Sequence, residues 1–344
     1  MDELVAGIRY ESVSQWLKQA IPGLALPLSF ELIAGGHSNL TFRFNDANGS
    51  SFVLRRPPLG HVLQSAHDMA REYRIVSSLS KSGVPVAPAL ALCTDEGIND
   101  APFYVMQFVP GAVLHNAQAA HAYPLSLRPQ LGERVIEVLA TLHQVDLDSV
   151  GLADLGRHEA YLSRQLSRWH RQWEQSQTHD VPEMQTCVRL LTENMPPQLG
   201  TGIVHGDYRL GNMIVGHENE IAQIKAVLDW ELCTLGDPLA DLGYLLNQWP
   251  QPGEPDAQVA PSGAGGFTDR RALCDHYEKL TGRNLDGINY YRAFSWWRLA
   301  AIGQGVYKRY LEGAMGSGRS VDLNSMKHAV AKRAQTALEL LGKR

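Results

Sequence analysis

The sequence predicts an α+β protein in two lobes: a five-stranded antiparallel sheet with one helix, followed by a mostly helical part. Three observations predict it. Short runs of alternating apolar and polar residues, separated by turn residues, crowd the first third of the chain. Further along, apolar residues recur at helical spacing instead. The length of 344 residues leaves room for roughly two folding units, at about 150 residues each. The expected division is 1–109 for the first lobe, with a leading helix, and 110–344 for the second.

Glu11–Ala20 places Val13, Trp16 and Leu17 on one side of a helix, which Pro22 and Gly23 stop. Ser29–Ala34, Leu40–Phe44 and Phe52–Arg56 read as strands, joined by the turns GGHSN and DANGS, so a three-stranded meander is expected. Ser65–Ser80 carries the stripe Met69, Tyr73, Val76, Leu79 of a helix inserted after the third strand. Pro88–Cys93 and Phe103–Val109 are apolar runs of strand length, separated by TDEGINDA. Beyond them, Leu131–Val145 and Arg157–Ser176 have helical periodicity. Two short β-like stretches follow, Ile203–His205 with Met213–Val215, and then Ala226–Leu228. Leu239–Gln248, Asp269–Leu280, Gly287–Leu311 and Asp322–Leu341 complete the helices. Trp249–Gly266, rich in Pro, Gly and Ala, reads as a mobile loop. No internal repeat is present.

Composition narrows the function. Hydrophobic residues make up 44% and charged residues 19%, which suits a packed core and excludes a disordered chain. The net charge of -5, from 31 Lys and Arg against 36 Asp and Glu, gives no basic footprint for nucleic acid. Cys93, Cys187, Cys233 and Cys274 lie too far apart for a zinc or redox motif and read as reduced thiols. The opening MDELVAGIRY is not a secretory signal. No run approaches the ~18 apolar residues of a membrane span. A cytoplasmic enzyme is expected, without a membrane or nucleic-acid partner; the sequence does not specify an oligomeric state.

The chemistry concentrates in HGDYRLGN, His205–Asn212. Asp207 stands two residues after His205, and Asn212 five after Asp207; Asp229 closes the apolar run of VLDWE. One carboxylate can orient an attacking hydroxyl while a second carboxylate and an amide hold Mg²⁺, the division of labour in kinase-type phosphoryl transfer. H-x-D-x-x-x-x-N is weak alone. Followed in order by D-W-E and by GDPLADLGYLL, it becomes specific.

From about Phe30 to Trp297 the chain resembles the aminoglycoside phosphotransferase family, relatives of protein kinases and choline kinases. It is most similar to the phosphotransferase-like domains sometimes fused to acyl-CoA dehydrogenases. The resemblance implies a protein-kinase-like two-lobed fold, ATP or another NTP with Mg²⁺, and a small-molecule hydroxyl acceptor. It implies Asp207 as catalytic base, Asn212 and Asp229 as Mg²⁺ ligands, and Asp241 as a structural bond to the catalytic loop. Asp237 matches the same family segment.

On that footing the first lobe supplies the nucleotide cradle. Gly35 and Gly36 permit close backbone approach, and Ser38 with the backbone amides around it, to Asn39, could reach phosphate oxygens. The same residues also make an ordinary hairpin turn. Arg55 takes the strand position where kinases carry Lys, and keeps the charge with a different shape. Glu72 is its expected partner; a solvated helix face is the other reading. Arg56 is the competing choice for the cation, pointing to the opposite face of the strand. Gln107–Val109 resembles the segment that pairs with the base. His205 is expected to shape the loop rather than act as a base, and Glu231 to help with metal or to make a structural bond. Trp169, Trp173, Tyr290 and Tyr291 could wall an acceptor pocket, although their helical spacing favours packing.

No acidic cluster for a polycationic aminoglycoside stands out, so a hydroxyacyl-CoA-type metabolite is the expected acceptor, with an aminoglycoside or other amino alcohol as the alternative. A pseudokinase-like nucleotide-binding module without transfer activity, suggested by Arg55, is the rival of another class.

Overall fold

Leu40–Asn45 shows how the first lobe is built. Leu40, Phe42 and Phe44 are buried while the residues between them are half-exposed, the alternation of a strand with one face on a core. The computed structural model describes residues 5–34, 39–59, 68–251, 253–254, 256–313 and 321–342. In it helix α1 (Tyr10–Ala20) precedes strands β1 (Ser29–Ala34), β2 (Leu40–Asn45) and β3 (Ser51–Arg56). Helix α2 (Met69–Leu79) comes next, then β4 (Ala89–Cys93), the single turn α3 (Glu96–Asn99) and β5 (Phe103–Gln107). The sheet order is β1-β2-β3-β5-β4, antiparallel throughout.

Register puts Phe30 opposite Phe44 and Phe44 opposite Phe52, with ring centroids 5.1 Å apart in both pairs. Such cross-strand aromatic pairs hold the meander in register. Its second turn is closed by Asp46, whose Oδ1 accepts from the N–H groups of Asn48 and Ser50 at 3.0 and 2.8 Å. Helix α1 covers one face with Val13 and Leu17 against Phe42, Leu54 and Phe103. On the other face Met69 of α2 packs against Val53, Tyr104 and Met106. The α2 start is capped by Asp68, which accepts from Arg71 N at 2.9 Å. Ile75, Val76 and Leu79 of the same helix belong to the large core of the second lobe, so α2 joins the two.

The second lobe begins with β6 (Ala112–Val113), α4 (Ala117–His121), α5 (Arg128–His143), α6 (Tyr161–Ser176) and α7 (Pro182–Glu193). Then come β7 (Gly202–Val204), β8 (Met213–Glu218), β9 (Ile221–Val227) and β10 (Thr234–Gly236). Helices α8 (Leu239–Asn247), α9 (Arg270–Thr281), α10 (Ile288–Leu311) and α11 (Leu323–Gly342) finish it. Every residue of α8 is buried, which makes it the axis of the lobe.

Three features depart from the sequence expectation. Helix α7 was not foreseen; of its residues only Met184, Cys187 and Leu191 are buried, a narrow stripe. The Ile203 run pairs with β10, not with the Met213 run, which forms a hairpin with β9. Gln223 and Lys225 interrupt the apolar pattern of β9 and hid its length. TDEGINDA, expected as turn alone, contains α3, capped by Asp95 at Gly97 N, 2.8 Å. The described residues of the 249–266 stretch are irregular apart from one 3₁₀ turn, and buried Arg128 holds them through the carbonyls of Ala264 and Gly265 at 2.8 and 2.9 Å. Residues 35–38 and 65–67, part of the expected first turn and of the expected helix start, lie outside the described residues.

Candidate active site

The loop after β7 is fixed from two sides. His205 N and Gly206 N donate to Asp241 Oδ2 and Oδ1 at 2.6 and 2.9 Å, as anticipated for Asp241 in the first turn of α8. The carbonyl of Gly206 accepts from Arg298 of α10 at 2.7 Å. Gly206 has φ +86°, and a Cβ there would stand 2.9 Å from Leu232 Cβ, so only glycine fits the bend. His205 uses both ring nitrogens: Nε2 donates to Leu228 O at 2.9 Å and Nδ1 accepts from Asp207 N at 3.2 Å. With its ring 4.6 Å from that of Trp230 and no exposure, it shapes the loop and has no lone pair left for a substrate proton.

This clamp presents Asp207, whose side chain is 23% exposed. Asn212 Nδ2 donates to Asp207 Oδ2 at 2.6 Å and to its carbonyl at 2.9 Å, which leaves the Asn212 amide oxygen for another ligand. The Tyr244 hydroxyl donates to Asp207 Oδ1, and Arg209 Nε is 3.4 Å from the same oxygen. Leu228 N donates to Asn212 O at 2.8 Å, tying the loop to the end of β9 and setting Asp229 beside it. Asp229 is in the left-handed region, φ 66° and ψ 65°, a conformation uncommon outside glycine and concentrated at functional sites.

Across the cleft, Arg55 of β3 spans two carboxylates. Its Nε lies 3.0 Å from Glu72 Oε1 and its Nη2 2.5 Å from Asp229 Oδ1; Glu231 is 3.8 Å away. Tyr104 donates to Glu72 at 3.1 Å. Burial alone would lower the Arg55 pKa, but Glu72, Tyr104 and Asp229 outweigh it and raise it above the ordinary range. Burial pushes the Glu72 carboxyl up, against the pull of Arg55 and Tyr104. Arg56 does face the other way, donating to Gly7 O and Asn99 O at 2.6 and 3.1 Å. Glu231 accepts from Asn39 Nδ2 at 3.2 Å.

Between the lobes lies a cleft of about 500 Å³, in the range of small-molecule sites. Val53, Ala87, Met106 and Val227 line it, with Gln107 and Val109 at one side and Arg55, Glu72, Asn212 and Asp229 at the other. The N–H groups of Gln107 and Phe108 donate to Pro88 O and Ser51 O, whereas that of Val109 has no partner among the described residues and is open to a ligand. Asn39 does not line this cleft; it borders a neighbouring one with Glu231. Gly35, Gly36 and Ser38 lie outside the described residues. Trp173, Tyr290 and Tyr291 are core side chains, and Trp169 edges the neighbouring cavity.

The residues present fit a metal-bound nucleotide. Asp229 and the free amide oxygen of Asn212 offer two hard oxygens at the polar end of an apolar slot. Among the described residues no three His, Cys, Asp or Glu side chains form a metal cluster. Mg²⁺ needs no such cluster, since it is bound by one or two carboxylates together with substrate phosphates and water.

Tyr244, Arg298, Arg209 and Tyr104 were not anticipated. Tyr244 and Arg298 sit on α8 and α10, where sequence spacing marks them only as helical positions. Arg209 lay within the motif, and its charge next to Asp207 was the available signal.

Residues 29–276 match the model of the phosphotransferase enzyme family, APH. The chain belongs to that family. The chain is 36% identical over 313 residues to acyl-CoA dehydrogenase family member 10 of Mus musculus, covering 87% of the chain and 28% of that protein. It is 32% identical over 339 residues to family member 11 of Homo sapiens, covering 96% and 43%. The chain therefore spans less than half the length of these curated relatives. A Ralstonia eutropha crystal structure, described as a candidate aminoglycoside phosphotransferase, superposes with a TM-score of 0.79 at 34% identity, covering 97% of this chain and 98% of the other. The chain thus has the kinase-like fold of a family of phosphotransferases. Among its described residues no helix is long and apolar enough to cross a membrane.

Proposed function

We propose that the chain transfers the γ-phosphoryl group of ATP to a hydroxyl of a small molecule. Arg55, Glu72, Asn212 and Asp229 line the polar end of one cleft, with Asp207 bonded to Asn212 beside it, and this arrangement carries the reading. Asp207 is the base: held by Asn212 and Tyr244, it keeps a carboxylate oxygen aimed at the attacking hydroxyl. Asn212 and Asp229 would hold Mg²⁺, which when bound would neutralise the phosphate oxygens. Arg55, positioned by Glu72 and also in contact with Asp229, would hold the nucleotide phosphates. Gln107 and Val109 meet the nucleotide's base, and Gly35, Gly36 and Ser38 contact its phosphates; Asn39, bonded to Glu231, borders the neighbouring cavity instead. The lobe boundary is placed at 109/110.

The acceptor is a hydroxyacyl-CoA-type metabolite. The names of the relatives support this, and so does the use of nearby acids. Asp241 is engaged by the catalytic loop and Asp237 by Tyr291 at 2.7 Å, so neither is available to a polycation. The four cysteines are free thiols, which suits a cytoplasmic location.

Asp207→Ala should lower kcat by about 10²–10⁴-fold while Mg·ATP binding stays largely intact. Near wild-type turnover by that variant would remove Asp207 from the role of base. A panel of hydroxyacyl-CoA compounds compared with kanamycin, followed by ADP release, tests the acceptor; turnover of kanamycin alone would overturn it. Nucleotide binding with no transfer across a broad alcohol panel would point to the binding-module alternative.

A further inference from the structure

A second cavity, of about 340 Å³, lies among α8, α9, α10, α11 and the 249–266 loop, and the site described above uses none of its residues. Arg292 and Arg333 line it, and neither has a carboxylate within 4 Å among the described residues. Other cations in that wall are engaged or exposed: Arg270 is bound to Glu254, and Lys332 faces solvent. Glu339 is exposed, and Asp256 acts on Arg333 only at longer range.

Arg292 is half-buried, with Nε 3.2 Å from Asn247 Oδ1. Burial, with Arg270 close by, pulls its guanidinium down to about 10 against a weaker opposing pull from Glu254, so it is charged at neutral pH and held there at a cost. Burial also lowers the Arg333 pKa, and Asp256 and Tyr244 only partly offset this. Two guanidiniums in one cavity without paired carboxylates are costly unless an anion occupies the space, and a planar fork of donors suits phosphate or carboxylate.

The cavity is also placed next to the chemistry. Asn247, which holds Arg292, lies three residues after Tyr244 on α8, a rise of about 5 Å. Tyr244 touches Asp207. On α10, Arg298 reaches the Gly206 carbonyl and lies over the Tyr244 ring at 5.4 Å, while Arg292 on the same helix reaches the cavity.

We infer that this cavity binds an anionic group, phosphate or carboxylate, carried by the phosphoryl acceptor, through Arg292 and Arg333. The acceptor part of the inference rests on the proposed transferase activity; the anion site itself does not. A polycationic acceptor would be repelled there, and an acceptor with an acidic group beyond its reacting hydroxyl would be selected.

The test has two arms. Inorganic phosphate is titrated into the protein with Mg·ADP saturating, so that the nucleotide cleft is filled, and binding is read by calorimetry. The expected result is phosphate binding weakened by about tenfold or more in Arg292→Gln and in Arg333→Gln, the loss of a charge-assisted contact, and largely retained in Arg292→Lys. No binding by the wild type, or wild-type affinity in both Gln variants, overturns the site; the second variant serves if the first does not fold. In the other arm, acceptors found by an ADP-release screen are compared. Arg292→Gln should raise KM for acceptors bearing phosphate or carboxylate with little change in kcat. If the accepted alcohols are only neutral or cationic, or KM is unmoved, the acceptor assignment falls while the transferase reading stands. Phosphate binding alone would then mark a free anion as the occupant.

Discussion

At the residue scale the site is a set of charges that restrain one another. Arg55 bridges Glu72 and Asp229, and its planar fork lets one side chain meet both. Lys could satisfy only part of this. Arg55→Lys is therefore expected to raise KM for ATP by about tenfold, the worth of one charge-assisted hydrogen bond, which steady-state kinetics would show. Unchanged nucleotide affinity and rate would make Arg55 an ordinary substitute. Order and spacing singled out Asp207, Asn212 and Asp229 in the sequence, and the family resemblance pointed to Arg55 and Glu72; the structure brings Arg55 and Glu72 into contact. Tyr244 was not legible: in LADLGYLLN it reads as one more core residue, and only the packing of α8 brings its hydroxyl to Asp207.

At the scale of elements, short strands and a helix start hold the catalytic loop. β7 delivers His205, the first turn of α8 supplies Asp241, and the β8–β9 hairpin sets Asp229 beside Asn212. Gly206 is the joint between them. Gly206→Ala would meet both a left-handed φ and the Leu232 wall, and is expected to cost about 1–3 kcal/mol. Chemical denaturation would show that loss, together with a fall in kcat; a stable, fully active variant would mean the loop adapts. The strand meander was legible from period-two patterning. The β7–β10 pairing was not, because three-residue strands carry too little pattern to name a partner.

Over the whole molecule, buried titratable groups couple stability to pH. Burial lowers the His143 pKa against the pull of Asp241, 3.6 Å away. Below the ordinary histidine value of about 6.5 the unfolded chain then binds a proton that the folded chain refuses, so stability falls as pH falls. Asp241 works in the same direction. Burial would raise its pKa, but His143, His205 and the Gly206 amide lower it on balance. Its contribution is present above the unfolded carboxylate range and lost as pH drops through the folded value. Urea midpoints should decline from pH 7.5 to pH 5.5, and less steeply in His143→Gln; identical slopes would exclude His143 as a source.

The sequence by itself determined the two-lobed α+β architecture, the phosphoryl-transfer motif and the arginine in the lysine position. The first two are written in local periodicity and short spacing, which survive without knowledge of contacts; the third is implied by the family resemblance. Only the tertiary structure decided that Tyr244 and Arg298 support the base, that Arg55 faces the cleft while Arg56 turns away, and that Arg292 and Arg333 share a cavity beside it. Each of these depends on side chains distant in sequence, and helix packing, not spacing, brings them together.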